Sequence, residues 1–425
     1  MERYSEYKNS GVQWLGEIPK HWEIKKAKYI WQELFSLSEK GNEGLLSVSQ
    51  NDGITKARND SRSESLIGYK KVSKDNLVIN IMLAWMGGLG VSAYDGIVSP
   101  AYCVYKLTDD YNPKFMHYLY KTPQYLAEFA RRSTGVIPSR WRMYTDDFGQ
   151  VLTIIPPLPE QQSIAAYLDA ITGKIDKAIA QQQEMIDLLN ERKQIIINQA
   201  VTKGLNPDVS MKDSGMEWIG QIPEHWEICK LKYLFRRIAD GTHFSPSTVE
   251  EGYPYITASD VRGIGIDYAN AKKISSEDYK KLVATGCRAS NGDILLVKDG
   301  ATTGRVGLKI DDVECVTLSS VAMLTPKETQ NTHYLMYMMM SDAMQKQILL
   351  SMAGAAMPRI TLIKLNNFLA VKPPIDEQIK IVKYVKSKID PLNWSIRLSE
   401  QQIVLLQERK QIIINEVVTG KVRVS

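Results

Sequence analysis

Arginine, lysine, threonine, histidine and tryptophan collect in a few polar, turn-rich stretches of the chain. Together they offer recognition chemistry, not bond-making chemistry. Lys56, Arg58 and Arg62 form one group, and Trp141 with Arg142 a second. Thr242, His243, Lys298, Thr302, Thr303 and Arg305 sit in polar or glycine-rich turns further along. A guanidinium presents two parallel donors that match the O6 and N7 acceptors of guanine, and threonine or histidine can reach other base edges. Each of these side chains, taken alone, also fits an ordinary surface position. Arrangements that make or break bonds are missing. Lys298 to Gly307, KDGATTGRVG, has the look of a phosphate loop without the Gly-x4-Gly-Lys-Ser/Thr spacing. No Gly-x-Gly-x-x-Gly opens a helix, and neither Asn-Pro-Pro-Tyr nor Asp-Pro-Pro-Tyr, the mark of an amino-methyltransferase, occurs. The five histidines are scattered, and His21 and His225, beside Trp22 and Trp226, read as packing residues. Cys103, Cys229, Cys287 and Cys315 fit neither a zinc site nor a disulfide framework and read as reduced thiols. The expectation is a non-catalytic chain with no cofactor or metal of its own.

Elements must position those side chains. At 425 residues the chain exceeds one typical core and predicts two or three domains. Hydrophobic content of 44% with 24% charged residues is that of an ordinary globular protein and excludes intrinsic disorder. A net charge of +5 is compatible with nucleic acid without demonstrating it. The polar start, Met1 to Ser10, predicts no signal peptide, hence a cytoplasmic protein. Leu77 to Tyr94 carries no charge, but Asn80 and its glycines predict buried strands around a turn, not a membrane helix.

The chain repeats itself. Ser10 to Tyr29, SGVQWLGEIPKHWEIKKAKY, returns as SGMEWIGQIPEHWEICKLKY at Ser214 to Tyr233, with thirteen of twenty positions identical. Pro156-Pro157 with Glu160-Gln161 returns as Pro373-Pro374 with Glu377-Gln378, and ERKQIIIN occurs at Glu191 to Asn198 and again at Glu408 to Asn415. The order is a short motif, a variable block and a helical block, twice over. That divides the chain into a strap (1–23), a variable domain (24–155), a helical spacer (156–206), a second strap (207–227), a second variable domain (228–371) and a second spacer (372–425). The variable blocks differ far more than the segments framing them, as expected when one scaffold presents two unlike reading surfaces.

In the spacers the apolar positions step by 4 and 3, from Ile164 through Leu168, Ile171 and Ile175 to Ile196, and from Val382 through Val385, Ile389 and Leu392 to Val417. This is the seam of a coiled coil, predicting two long helices that pair antiparallel about a pseudo-twofold axis. Thr172-Gly173 and Asp390-Pro391 predict a break in each, leaving a long helix of about 29 residues, roughly 43 Å. Residues 158–204 carry five basic against six acidic side chains and residues 375–421 eight against six, too balanced to track phosphates. The helices read as spacers and docking surfaces. Two reading domains about 40 Å apart would suit major-groove faces one turn apart, roughly 34–36 Å.

The variable blocks read as mixed α/β domains. Tyr255-Ile256-Thr257, Asp293 to Val297 and Cys315 to Leu324 predict strands, and Pro113 to Arg131 and Thr332 to Met352 helices. Gly135 precedes Arg140 by five residues and Gly354 precedes Arg359 by five, both just past those helices. The glycines suit helix C-caps. The arginines either pair with a carboxylate or contact a phosphate, and a phosphate contact kept in both copies would position a duplex without specifying bases.

With WLGEIPKHWE and WIGQIPEHWE, IPPLPEQQSIAAYLD and KPPIDEQIKIVKYVK, and both ERKQIIIN segments in place, the chain resembles the specificity subunits of Type I restriction–modification systems over nearly its whole length. DGTH at Asp240 to His243 and GDILLVKDGATTGRVG at Gly292 to Gly307 resemble the family's target-recognition domains; the first block lacks both forms. The resemblance implies an α/β fold with two target-recognition domains, each reading half of a split, asymmetric site on double-stranded DNA. It implies helices that set the gap and bind two methyltransferase subunits, which methylate adenine with S-adenosylmethionine, and restriction subunits that use ATP and Mg. By position, Trp14, Ile18 and Trp22 with Trp218, Ile222 and Trp226 should pack each strap against the helices, and the exposed sides of Gln182 to Asn198 and Gln401 to Asn415 are candidate partner contacts. Two other readings remain at this point: a helical scaffold that bridges protein partners without DNA, and a duplicated nuclease.

Overall fold

The computed structural model describes residues 2–50, 53–57, 65–137, 140–263, 265–352 and 359–424. The chain forms two compact units, Met1–Gln183 with Glu400–Ser425, and Glu184–Ser399. Each unit thus holds one strap, one variable domain, part of its own long helix and part of the other.

In the first unit the variable domain begins and ends in one ladder, in which Glu23–Lys26 pairs antiparallel with Leu152–Ile155. Inside lies an antiparallel four-stranded sheet in the order Trp31–Leu34, Tyr102–Leu107, Leu77–Asn80, Leu89–Val91. The uncharged stretch from Leu77 therefore forms two strands around a 3-10 turn, Ala84–Met86. The second unit repeats the plan. Glu227–Lys230 pairs with Leu369–Lys372, and a four-stranded antiparallel sheet runs Phe235–Asp240, Val321–Pro326, Ile294–Val297, Val306–Leu308. It adds a five-stranded sheet in which Tyr253–Ile256 runs parallel to Cys315–Thr317.

Each predicted domain helix is split in two. Pro113–Tyr120 is followed by Pro123–Arg132, and Thr332–Met340 by Asp342–Ser351. Pro123 forces Thr122 into extended backbone, and Ser341 takes the same conformation to cap the helix that follows it.

The spacers depart from expectation. Leu158–Lys203 is one helix of 46 residues and Ile375–Val418 one of 44, with no break at Thr172-Gly173 or Asp390-Pro391. Thr172 is buried and turns its hydroxyl back to the Leu168 carbonyl at 2.7 Å. Gly173 costs only about 1 kcal/mol in a helix interior. Pro391 removes one helical donor, at about 3 kcal/mol, but Val385, Ile389 and Ile396 are buried on both sides of it and hold the helix through.

Within the first unit the helix segments run antiparallel: His21 of the strap reaches Glu160, Trp22 lies beside Gly420, and Lys410 Nζ meets Asp176 at 2.6 Å. Ile164, Leu168 and Ile175 share a core with Ile413, Val417 and Val418. The second unit mirrors this, with Ile197 and Val201 packed among Ile381, Val382 and Val385. Each strap therefore covers the end of the other copy's long helix. Gly204 and Gly420 end those helices at φ of +74° and +73°, and a Cβ on either would press on Trp226 or Trp22 at about 3 Å. Trp22 and Trp226 are fully buried, as the packing reading required. Trp14 instead packs edge-on against Tyr125 of the variable domain, with ring centroids 5.0 Å apart. His21 and His225 are not packing residues. Both are about half exposed and bond Glu160 and Glu377 at 2.8 and 2.6 Å.

A buried glutamine joins domain to helix identically in both units. Gln161 donates to the Pro156 carbonyl at 2.8 Å and accepts the Asn112 N–H at 2.9 Å. Gln378 does the same with Pro373 and Asn331, both at 2.9 Å. This is the physical content of the repeated Pro-Pro and Glu-Gln motif.

Candidate nucleic-acid interface

The two four-stranded sheets share a topology, and the same connection in each lies at the candidate surface, though only the second one carries predicted site residues, Lys298, Thr302, Thr303 and Arg305. In the second unit it is the turn from Lys298 to Arg305, joining Ile294–Val297 to Val306–Leu308. In the first it is the turn from Ile81 to Gly88, joining Leu77–Asn80 to Leu89–Val91. Each turn receives a backbone bond from the segment behind the domain helices: Met143 N–H to the Ile81 carbonyl at 3.0 Å, and Ile360 N–H to the Lys298 carbonyl at 2.8 Å. Met143 and Ile360 are both buried, and both lead into a short helix, Thr145–Gly149 and Leu362–Asn367.

Those bonds correct an equivalence drawn from sequence. The five-residue spacing matched Arg140 with Arg359, but Arg142, directly before Met143, is the counterpart of Arg359. The segment between the helices runs 133–144 in the first copy and 352–361 in the second, two residues shorter, so equal spacing after a glycine was a coincidence. Gly354 lies outside the described residues. Gly135 closes against the Arg140 carbonyl, where a Cβ would sit 2.5 Å away.

The contacts that follow differ completely. In the second unit Asp299 faces Arg359, with the Nε 3.5 Å from Oδ1. Lys298 does not face outward as a base reader would. Its side chain is 2% exposed and its ammonium lies 3.2 Å from Asp299 and 3.5 Å from Asp240. Burial raises the Asp240 carboxyl above its ordinary value, with Lys298 pulling against it. Asp240 Oδ1 and Asp299 Oδ1 are buried without a hydrogen bond, Asp299 Oδ1 having the Arg359 guanidinium 3.5 Å away. Thr242 is also buried, its N–H on the Thr317 carbonyl at 2.8 Å and its hydroxyl in a turn with Phe244. His243 is exposed beside it. Thr303 bonds the Gly300 carbonyl at 2.6 Å and shapes the turn. Thr302 is partly exposed, and Arg305 is exposed with Nη1 on the Val261 carbonyl at 3.2 Å. His243, Thr302, Arg305 and Arg359 remain accessible, while Thr242, Lys298 and Thr303 hold the surface in shape.

In the first unit the same place is aromatic. Trp85 of the turn meets Trp141 edge-on, centroids 5.3 Å apart. Arg140 is exposed and Arg142 half-buried on either side of Trp141. Lys56 lies on a separate hairpin, over the Tyr94 ring at 5.4 Å. Arg58 and Arg62 lie outside the described residues. Trp85, Asp240 and Asp299 were missed from sequence. Aligning the two strand–turn–strand segments, Leu77 to Val91 with Ile294 to Leu308, would have found Trp85 and Asp299, whereas Asp240 lies on a separate strand, Phe235–Asp240.

Among the described residues no group of His, Cys, Asp or Glu is arranged to hold a metal, and no helix is long and apolar enough to cross a membrane. The geometry therefore offers donors, acceptors and apolar surface on two unlike faces of equivalent frames.

Comparison with known proteins places this arrangement. The Type I restriction modification DNA specificity domain matches residues 223–402. The chain is 27% identical over 371 residues to the Type I restriction enzyme MjaVIII specificity subunit of Methanocaldococcus jannaschii, covering 84% of this chain and 83% of that one. It is 25% identical over 289 residues to the EcoBI specificity subunit of Escherichia coli, covering 65% and 59%. A solved chain from a study of complex assembly and conformational transition of the type I R-M system shares the fold, with a TM-score of 0.66 at 15% identity over 95% of this chain and 99% of that chain.

Proposed function

We propose that this chain is a DNA specificity subunit of a Type I restriction–modification system and that its parts divide the work as follows. Each variable domain reads one half of a split, asymmetric duplex site, and the long helices set the gap between the halves. One observation carries this reading: equivalent frames hold an aromatic pair, Trp85 with Trp141, in one domain and an ion pair, Asp299 with Arg359, in the other. A scaffold that only bridged proteins would have no need of unlike chemistry at the same place.

The helices also receive partners. Leu188 and Ile195 on the first, and their repeat equivalents Leu405 and Ile412 on the second, are each about half exposed. These apolar positions suit two methyltransferase subunits that bring S-adenosylmethionine, with restriction subunits bringing ATP and Mg chemistry. The chain itself contributes choice of sequence and no catalysis, and acts in the cytoplasm where such DNA is found.

Gel-shift assays of the chain with and without modification subunits test this. Retarded duplex carrying one bipartite site, and not a scrambled duplex, is the expected result. Failure to bind any duplex in either condition would return the chain to the protein-bridging reading.

A further inference from the structure

We propose that the first variable domain recognises thymine by its methyl group, through a tip built from Met82, Leu83, Trp85 and Trp141. The inference rests on the DNA-reading function above and gives one half-site its chemistry.

The turn from Ile81 to Gly88 is tightly held. The Gly88 N–H bonds the Leu83 carbonyl at 2.8 Å and the Leu83 N–H bonds the Asn80 carbonyl at 2.9 Å. Gly87 takes φ of +88°, and a Cβ on Gly88 would lie 2.6 Å from that of Leu83. Residues without that freedom could not close the turn. The closure leaves Met82 and Leu83 37% and 38% exposed at its outer end. Trp85 commits its indole N–H to the Met82 carbonyl at 3.2 Å. It has no donor left for a base edge, and its ring is braced by Trp141. The result is a rigid, apolar protrusion, ordered before any ligand arrives.

Its neighbours are cationic. Arg140 and Arg142 flank Trp141, so an apolar centre is rimmed by groups that take phosphates. In a duplex major groove the apolar group presented by the bases is the thymine C5-methyl. In the second domain the same turn, Lys298 to Arg305, presents charged and hydroxyl side chains, and its Asp299 faces Arg359. That half reads hydrogen-bonding edges; the first reads methyl groups.

The test uses the complete complex with its modification subunits and a duplex carrying the bipartite site. Each thymine of the first half-site is replaced in turn by uracil, which lacks only the methyl. Binding should weaken about fourfold for each methyl that is contacted. The effect should vanish in Met82→Ser and Leu83→Ser variants, whose exposed positions spare the fold, and intact reading of the second half-site checks that they are folded. Equal binding of thymine and uracil duplexes overturns the proposal while leaving sequence-specific binding standing. A first half-site that contains no thymine on either strand overturns it as well. A complex that distinguishes no sequence at all defeats the DNA-reading function and this inference with it.

Discussion

The side chain of Asn198, on the first long helix, accepts the backbone N–H of Asp342 at 2.8 Å and donates to the Asp342 carboxylate, fixing the start of the helix Asp342–Ser351. Gln194 adds bonds of 2.9 Å to Asp342 and to the Met340 carbonyl. Asn415 is the repeat equivalent of Asn198, and the equivalent of Asp342 is Pro123, which has no N–H. Accordingly Asn415 Oδ1 is buried without a partner. The identical ERKQIIIN segments thus do unequal work.

Asn198→Ala should destabilise the second unit by about 1 kcal/mol, because it removes a solvent-accessible hydrogen bond that caps the start of the helix Asp342–Ser351. Asn415→Ala should cost less than half as much. Urea unfolding of both variants measures the difference, and equal losses would contradict the assignment.

The buried glutamines behave as a matched pair. Gln161→Leu and Gln378→Leu each strand a carbonyl and an N–H, so each should cost about 2–3 kcal/mol. Thermal unfolding should show losses of similar size. A loss confined to one of them would mean the joint is not duplicated in energy as it is in geometry.

Lys298→Met should cost about 3 kcal/mol, since Asp240 and Asp299 lose the cation between them. Adding Asp240→Asn should restore part of that loss. If Lys298 instead contacted bases directly, Lys298→Met would leave stability unchanged and abolish binding alone.

His117 packs between strand and helix, and its Nδ1 accepts the Val91 N–H at 3.1 Å. Burial, helped by Lys121, pushes its imidazole down to about 4. The unfolded chain therefore binds a proton at a higher pH than the folded one. The stabilising effect is complete above about pH 6.5 and is lost as pH falls toward 4. Between pH 7.5 and 5 the wild type should lose about 2 kcal/mol through this group, and His117→Gln should lose correspondingly less over that range, measured by urea unfolding at both values.

Much of this was legible in the sequence because the chain is duplicated. The duplicated motifs revealed the two-copy plan, and stepwise apolar spacing located both long helices. Thr172-Gly173 and Pro391 misled because local propensity of 1–3 kcal/mol is outweighed by a seam buried along both flanks. Lys298 misled because a lysine in a glycine-rich turn looks exposed, and only tertiary structure brings Asp240 beside it. The Trp85–Trp141 pair was hidden for the same reason: its members are 56 residues apart and meet only when the sheet forms. Arg140 and Arg359 looked equivalent because a two-residue deletion preserved their distance from a glycine.

The central claim is that two unlike domains read two halves of one site independently. Replacing residues 24–155 with the corresponding domain of another specificity subunit, followed by sequencing of methylated positions across the host genome, tests it most directly. Independent reading by the two domains yields a methylated motif whose first half is new, with the second half and the gap unchanged. A motif altered in both halves, or in neither, would contradict it.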